Sequence, residues 1–161
     1  MEVVKHMKII YSDMEIPKRI GWKSIFLAGP TPRDSETPSW RPGALEILEK
    51  INYNGVVFVP EPQIKNSLRN YDLQADWEDE GLNKSLFIIF WIPRELKTMP
   101  AFTTNVEFGR FAHLTSVLYG RPDNAPKTRY LDWYYTKYNP RMKQGGKIYN
   151  NLEELLNKAN I

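Results

Sequence analysis

The chain has 161 residues, 42% hydrophobic and 25% charged, with a net charge of +3 and a sequence pI near 9.0. That length supports one core-bearing domain, expected over 1–161 with residues 1–22 as an N-terminal arm; the mild positive excess suits a small anionic ligand and falls short of a nucleic-acid-binding stripe. The absence of cysteine excludes disulfides, thiolate metal sites and cysteine nucleophiles, and the only two histidines, His6 and His113, argue against a histidine-rich metal site.

Residues 1–10 carry no apolar segment of the signal-peptide kind, and the longest apolar run, 86–92, has seven residues. A cytoplasmic protein without membrane contact is therefore expected. A strand or arm is possible over 3–11. The run 24–28 (Ser-Ile-Phe-Leu-Ala) reads as a buried strand, stopped by Gly29-Pro30. Residues 31–40, with Pro32, Pro38 and several polar residues, read as a loop. Ser39 is placed to cap a helix over 40–52, with Pro42 in its first turn and Ala44, Leu45, Ile47, Leu48 and Ile51 as its apolar stripe. Asn54-Gly55 breaks that helix.

A second buried strand, 56–59, ends at Pro60, and a polar loop covers 61–70. Asp72 is the expected N-cap of a helix reaching Lys84. The run 86–92 is apolar on both faces, as a central parallel strand is, and Pro93 ends it. After a loop over 94–103, a helix is expected from Thr104 to about Leu114, then a short strand at 117–119 stopped by Gly120. A helix with an aromatic face over 130–138, a last edge strand at 147–149 and a helix over 152–159 complete the chain. Alternating strands and helices predict an α/β fold, a doubly wound parallel sheet with helices on both faces. Ligands of such sheets sit beyond the carboxyl ends of the strands, which points to the loops at 29–40, 60–72, 93–104 and 120–127.

Three features in those loops bear chemistry. Thr104-Asn105-Val106-Glu107 fits a capping box, in which Glu107 reaches back to the Thr104 amide. It equally fits a carboxylate held ionised by a helix dipole at a strand's carboxyl end, able to attack an anomeric carbon. Gly109 would then allow a close approach. The cluster Asp76-Trp77-Glu78-Asp79-Glu80 reads either as a solvated acidic helix start with Trp77 packed inward, or as a source of one proton donor with Trp77 stacking on a base. Gly29 and Pro30, with Arg33 and Arg41, form either a plain turn with surface arginines or a set of donors for a sugar or a 5′-phosphate. Trp91 reads as core, His113 as a packed or surface residue, and the scattered basic residues of the last forty positions as solvated surface.

Taken together, Ile25–Pro30, Trp77-Glu78, Phe87–Pro93 and Thr104–Gly109 resemble the nucleoside 2-deoxyribosyltransferase-like family over roughly 23–135, most specifically over 86–110. The resemblance implies a flavodoxin-like fold, about five strands, Glu107 as nucleophile, and no metal or organic cofactor. It implies nucleoside or nucleotide and nucleobase as small-molecule partners, no nucleic-acid polymer, and a homo-oligomer whose sites borrow residues from a neighbour. Relatives carry an aspartate where this chain has Ser85, and the transferases another where it has Trp77. The acid role then passes to Asp76, Glu78 or Asp79, or is absent, with Asn105 orienting the nucleophile or contacting the sugar. The expected activity is transfer of a deoxyribosyl group between bases through a covalent Glu107 ester. The alternatives are a nucleoside 5′-monophosphate N-glycosidase, with Arg33, Arg41 or Ser85 on the phosphate, and a non-catalytic nucleotide-binding module.

Overall fold

A computed structural model describes residues 6–64 and 70–161. Five parallel strands form one sheet: β1 (Lys8–Tyr11), β2 (Ser24–Ala28), β3 (Val56–Val59), β4 (Phe87–Trp91) and β5 (Val117–Gly120), in the order β1-β3-β2-β4-β5. Among the described residues five α-helices flank it: α1 (Arg41–Lys50), α2 (Tyr71–Lys84), α3 (Phe102–Phe111), α4 (Arg129–Tyr138) and α5 (Leu152–Ala159), with a 3-10 turn at Pro140–Gln144. This is the expected doubly wound, flavodoxin-like arrangement.

The sequence pattern explains it. Strands β2 to β5 are buried at every position, so each presents apolar side chains to both faces and needs cover on both. Phe26, Phe58, Ile88 and Phe90 point into one core, closed by Trp77, Phe108 and Tyr135 from α2, α3 and α4. Ile25, Leu27, Val57 and Ile89 point into the other, closed by Ala44 and Leu48 of α1 and Leu155 and Leu156 of α5. Each fully buried aliphatic or aromatic side chain of this kind contributes about 1.5–3 kcal/mol. Gly81 lets α2 settle close on the sheet, since a Cβ there would lie 2.8 Å from the Phe26 ring.

Several boundaries differ from the sequence expectation. The arm contains a true strand, β1, which hydrogen-bonds the outer side of β3; residues 3–5 of the region predicted as strand, and 65–69 of the loop predicted over 61–70, lie outside the described residues. α2 is capped by Asn70 rather than Asp72, because the Asn70 carboxamide oxygen accepts the Asp72 and Leu73 amides at 2.8 and 3.3 Å. Ser39 accepts the Arg41 amide at 3.1 Å as α1 begins. The edge strand predicted at 147–149 reduces to one bridge, Gly120 with Tyr149, hemmed in by Gly145-Gly146 and by the Asn151 cap of α5. Among the described residues no helix is long and apolar enough to cross a membrane.

Candidate active site

From β2 the chain moves to β3 on one side, then crosses back through α2 to β4 on the other. The loops leaving β2 and β4 therefore part from each other at their carboxyl ends, which is where doubly wound sheets hold ligands. A cavity of about 340 Å³ opens at that point, within the range for small-molecule sites. Gly29, Pro30, Thr31 and Arg33 come to it from the loop after β2, Gln74 and Glu78 from α2, and Phe102, Thr104 and Glu107 from α3.

The wall after β2 is fixed by two features. Gly29 has φ 150°, and a Cβ there would lie 2.1 Å from the Trp91 carbonyl oxygen, so only glycine fits. Arg41 is buried, and its donors hold the end of β2: Nε to the Leu27 carbonyl at 3.0 Å, Nη1 to Thr31 Oγ1 at 2.8 Å and Glu61 Oε2 at 2.7 Å, Nη2 to the Gly29 carbonyl at 2.7 Å. The guanidinium expected on a sugar or phosphate is thus occupied as a structural clasp. It still lends positive charge to the cavity. Arg33 is different. Its backbone amide bonds the Thr98 carbonyl at 2.9 Å, joining the two loops, while its exposed guanidinium lies 5.5 Å from the Phe102 ring centre.

Opposite stand two carboxyl groups. Glu78 lies on the cavity face of α2, and one turn earlier Gln74 donates from Nε2 to Glu78 Oε1 at 3.1 Å. Burial pushes the Glu78 carboxyl above its ordinary value, against the opposing pull of Gln74 and Arg41. Glu107 is pushed further, to about 8, first by burial and then by repulsion from Glu78, with Arg41 and Arg110 acting the other way. Ionised Glu78 therefore makes loss of the Glu107 proton harder. Such an arrangement can supply one nucleophile and one acid at neutral pH.

This overturns the capping reading of the Thr104–Glu107 motif and, in the second reading, the ionisation by the helix dipole. Ala101, in the left-handed conformation at φ 64°, is the N-cap, so α3 starts at Phe102 and Glu107 is its sixth residue. It lies a turn too late to cap the helix or to be held ionised by the dipole, whose effect fades within the first turn. Burial dominates instead and favours the neutral acid.

The remaining expected site residues scatter. Trp77 is buried between Phe26 and Phe58, its indole Nε1–H bonded to the Met14 carbonyl at 3.0 Å, and stacks on no cavity wall. Asp79 is exposed and paired with Arg110 at 2.7 Å; Asp76 is exposed beside it on α2, outside the cavity lining. Successive helical residues point about 100° apart, so α2 turns Glu78 alone of the acidic cluster into the cavity. Ser85 ends α2 at the amino edge of the sheet, across the molecule from the cavity, its hydroxyl on the Leu82 carbonyl. Asn105 accepts from Arg94 and does not line the cavity. Gly109 is exposed, and a Cβ there would meet nothing within 4 Å, so no close approach requires it. Trp91 is core, and His113 is on the surface just past α3. Gln74, Tyr71 and Phe102 were missed as cavity residues; the i−4 spacing of Gln74 from Glu78 was the available signal. Among the described residues no three His, Asp or Glu side chains gather as metal ligands.

A parallel α/β sheet with two carboxyls, Glu78 and Glu107, lining a cavity at its switch point has the form of a small-molecule site whose carboxyls can serve acid, base or nucleophile chemistry. The family model described as nucleoside 2-deoxyribosyltransferase like matches residues 22–124, and the chain belongs to that family. Its members are nucleoside deoxyribosyltransferase-like enzymes with small nucleosides and nucleobases as substrates. No match to a curated protein was found.

Proposed function

We propose that this protein cleaves the N-glycosidic bond of 2′-deoxynucleosides and passes the sugar to another nucleobase. In this reading a Glu107 carboxylate oxygen attacks C1′ from the face opposite the base. The electrons of the breaking C1′–N bond move onto the base, which takes a proton from Glu78. The deoxyribosyl group then rests as an ester on Glu107. An incoming base attacks C1′, releases Glu107 and returns a proton to Glu78, giving net retention after two inversions.

The observation that carries this reading is the convergence of Glu107 and Glu78, from two different helices, in one cavity where burial raises both and repulsion from Glu78 raises Glu107 further. A singly protonated pair holds both required forms at once, the proton moving to Glu78 and the charge to Glu107 as substrate binds.

The test is incubation with a panel of deoxynucleosides, with and without a free acceptor base, followed by chromatography beside a Glu107→Ala control. New nucleoside that appears only with acceptor, and vanishes in the control, supports transfer. Full activity in the control refutes the nucleophile. A second reading, hydrolysis of deoxynucleoside 5′-monophosphates, is favoured by the exposed Arg33 guanidinium at the cavity. It predicts free base without acceptor, a preference for the monophosphate over its nucleoside, and loss of that preference in Arg33→Ala.

A further inference from the structure

Arg94, just past β4, is 6% exposed, yet no carboxylate among the described residues forms an ion pair with it. Nη1 donates to the Lys127 carbonyl and Nη2 to Asn105 Oδ1, both neutral acceptors, while the buried Nε–H has no acceptor among the described residues. Its burial disfavours the charged form. A buried cation is normally compensated by an anion, because desolvation of the charge otherwise costs several kcal/mol.

Arg94 also lines a second cavity, of about 430 Å³, between the loops that follow β4 and β5. Pro93, Leu96, Pro122 and Pro126 give it apolar walls, and Asn124 adds a neutral polar group. Glu95, a carboxylate at its edge, is turned into its own loop, where Oε2 accepts from the amides of Lys97 and Thr98 and from Thr98 Oγ1 at 2.7 to 3.0 Å. The cavity thus combines a guanidinium without an ion pair among the described residues, an apolar wall, and one carboxylate, Glu95, whose Oε2 is held by its own loop.

We propose that this cavity is a second binding site, for a small molecule bearing an oxyanion, with the oxyanion against Arg94 and the apolar remainder on the prolines. It is separate from the cavity of Glu78 and Glu107 and does not depend on the reaction proposed there. The anion supplies the counter-charge that the fold itself omits.

The experiment is thermal unfolding of the whole chain with inorganic phosphate or benzoate, against chloride at equal ionic strength. A specific site raises the melting temperature by about 3–6 °C at ten times its Kd, with a saturable dose dependence. Arg94→Gln removes the charge. Ala125→Trp fills the cavity while leaving every Arg94 hydrogen bond in place, so it decides the question even if Arg94→Gln does not fold. The stabilisation is expected to vanish in each variant that folds and to persist in Arg33→Ala. No stabilisation by either probe overturns the proposal, as does stabilisation retained in Ala125→Trp or in folded Arg94→Gln, or lost in Arg33→Ala.

Discussion

Replacing Glu107 by Gln removes an ionisable group with little change in volume, and its consequences extend from activity to stability. In the folded protein the Glu107 carboxyl is raised from 4.5 to about 8, first by burial and then by Glu78. Between those two pH values the folded state keeps a proton that the unfolded chain has released, so stability falls as pH rises through that window. Raising a carboxyl that far corresponds to about 5 kcal/mol at about 1.4 kcal/mol per pH unit. Water in the open cavity and sharing of the proton with Glu78 reduce the realised effect to about 2–3 kcal/mol. Glutamine carries none of this, so Glu107→Gln should match the wild type near pH 4.5 and exceed it by that amount at pH 8, about 5–10 °C in melting temperature. The assay is denaturant and thermal unfolding of both proteins at pH 5 and pH 8, with turnover measured alongside. A difference that stays constant across the two pH values refutes the desolvation argument; appreciable turnover by Glu107→Gln refutes the nucleophile.

Glu78→Gln should lower turnover of deoxynucleosides about 10²–10⁴-fold through loss of the proton donor, and should move the Glu107 titration below about 8 by removing the repulsion between them, both visible in a pH–rate profile. For the wild type, kcat/KM should be highest while the carboxyl pair holds one proton and should fall as pH rises past about 8, where the last proton leaves. Gly29→Ala should destabilise the fold by about 3 kcal/mol or more, because its methyl would stand 2.1 Å from the Trp91 carbonyl oxygen; unfolding curves coincident with the wild type would contradict that geometry. Arg41→Met leaves Glu61 and three oxygen acceptors at the end of β2 without their donor and should cost about 3–5 kcal/mol in chemical denaturation, where a loss below 1 kcal/mol would deny its role as a clasp.

The architecture was legible in the sequence because strands buried on both faces announce themselves. The runs Ile25–Ala28, Val56–Val59 and Phe87–Trp91 are apolar without alternation and are separated by helical stripes, and that combination leaves a doubly wound parallel sheet as the simple solution. The loops that build the cavity followed directly, since they are the ones that leave the carboxyl ends of those strands. Glu107 and the acidic cluster at 76–80 were visible as the carboxylates in the right places. β1 was only a possibility, because a short edge strand with one buried residue, Ile10, carries little pattern.

Tertiary structure decided what each of those residues does. The rotation of α2 about its axis faces Glu78 to the cavity, sends Asp76 and Asp79 to solvent and buries Trp77, and that rotation is set by the packing of Gly81 on Phe26 rather than by local composition. The left-handed Ala101 caps α3 three residues before the Thr104 of the capping pattern and leaves Glu107 a desolvated acid rather than a dipole-held anion. Arg41, adjacent to Pro42 and outwardly an ordinary surface arginine, is drawn inside by the oxygen atoms of Leu27, Gly29 and Thr31. Sequence periodicity reports which residues avoid water; protonation and hydrogen-bond partners depend on neighbours distant along the chain, and only the folded arrangement brings those into reach.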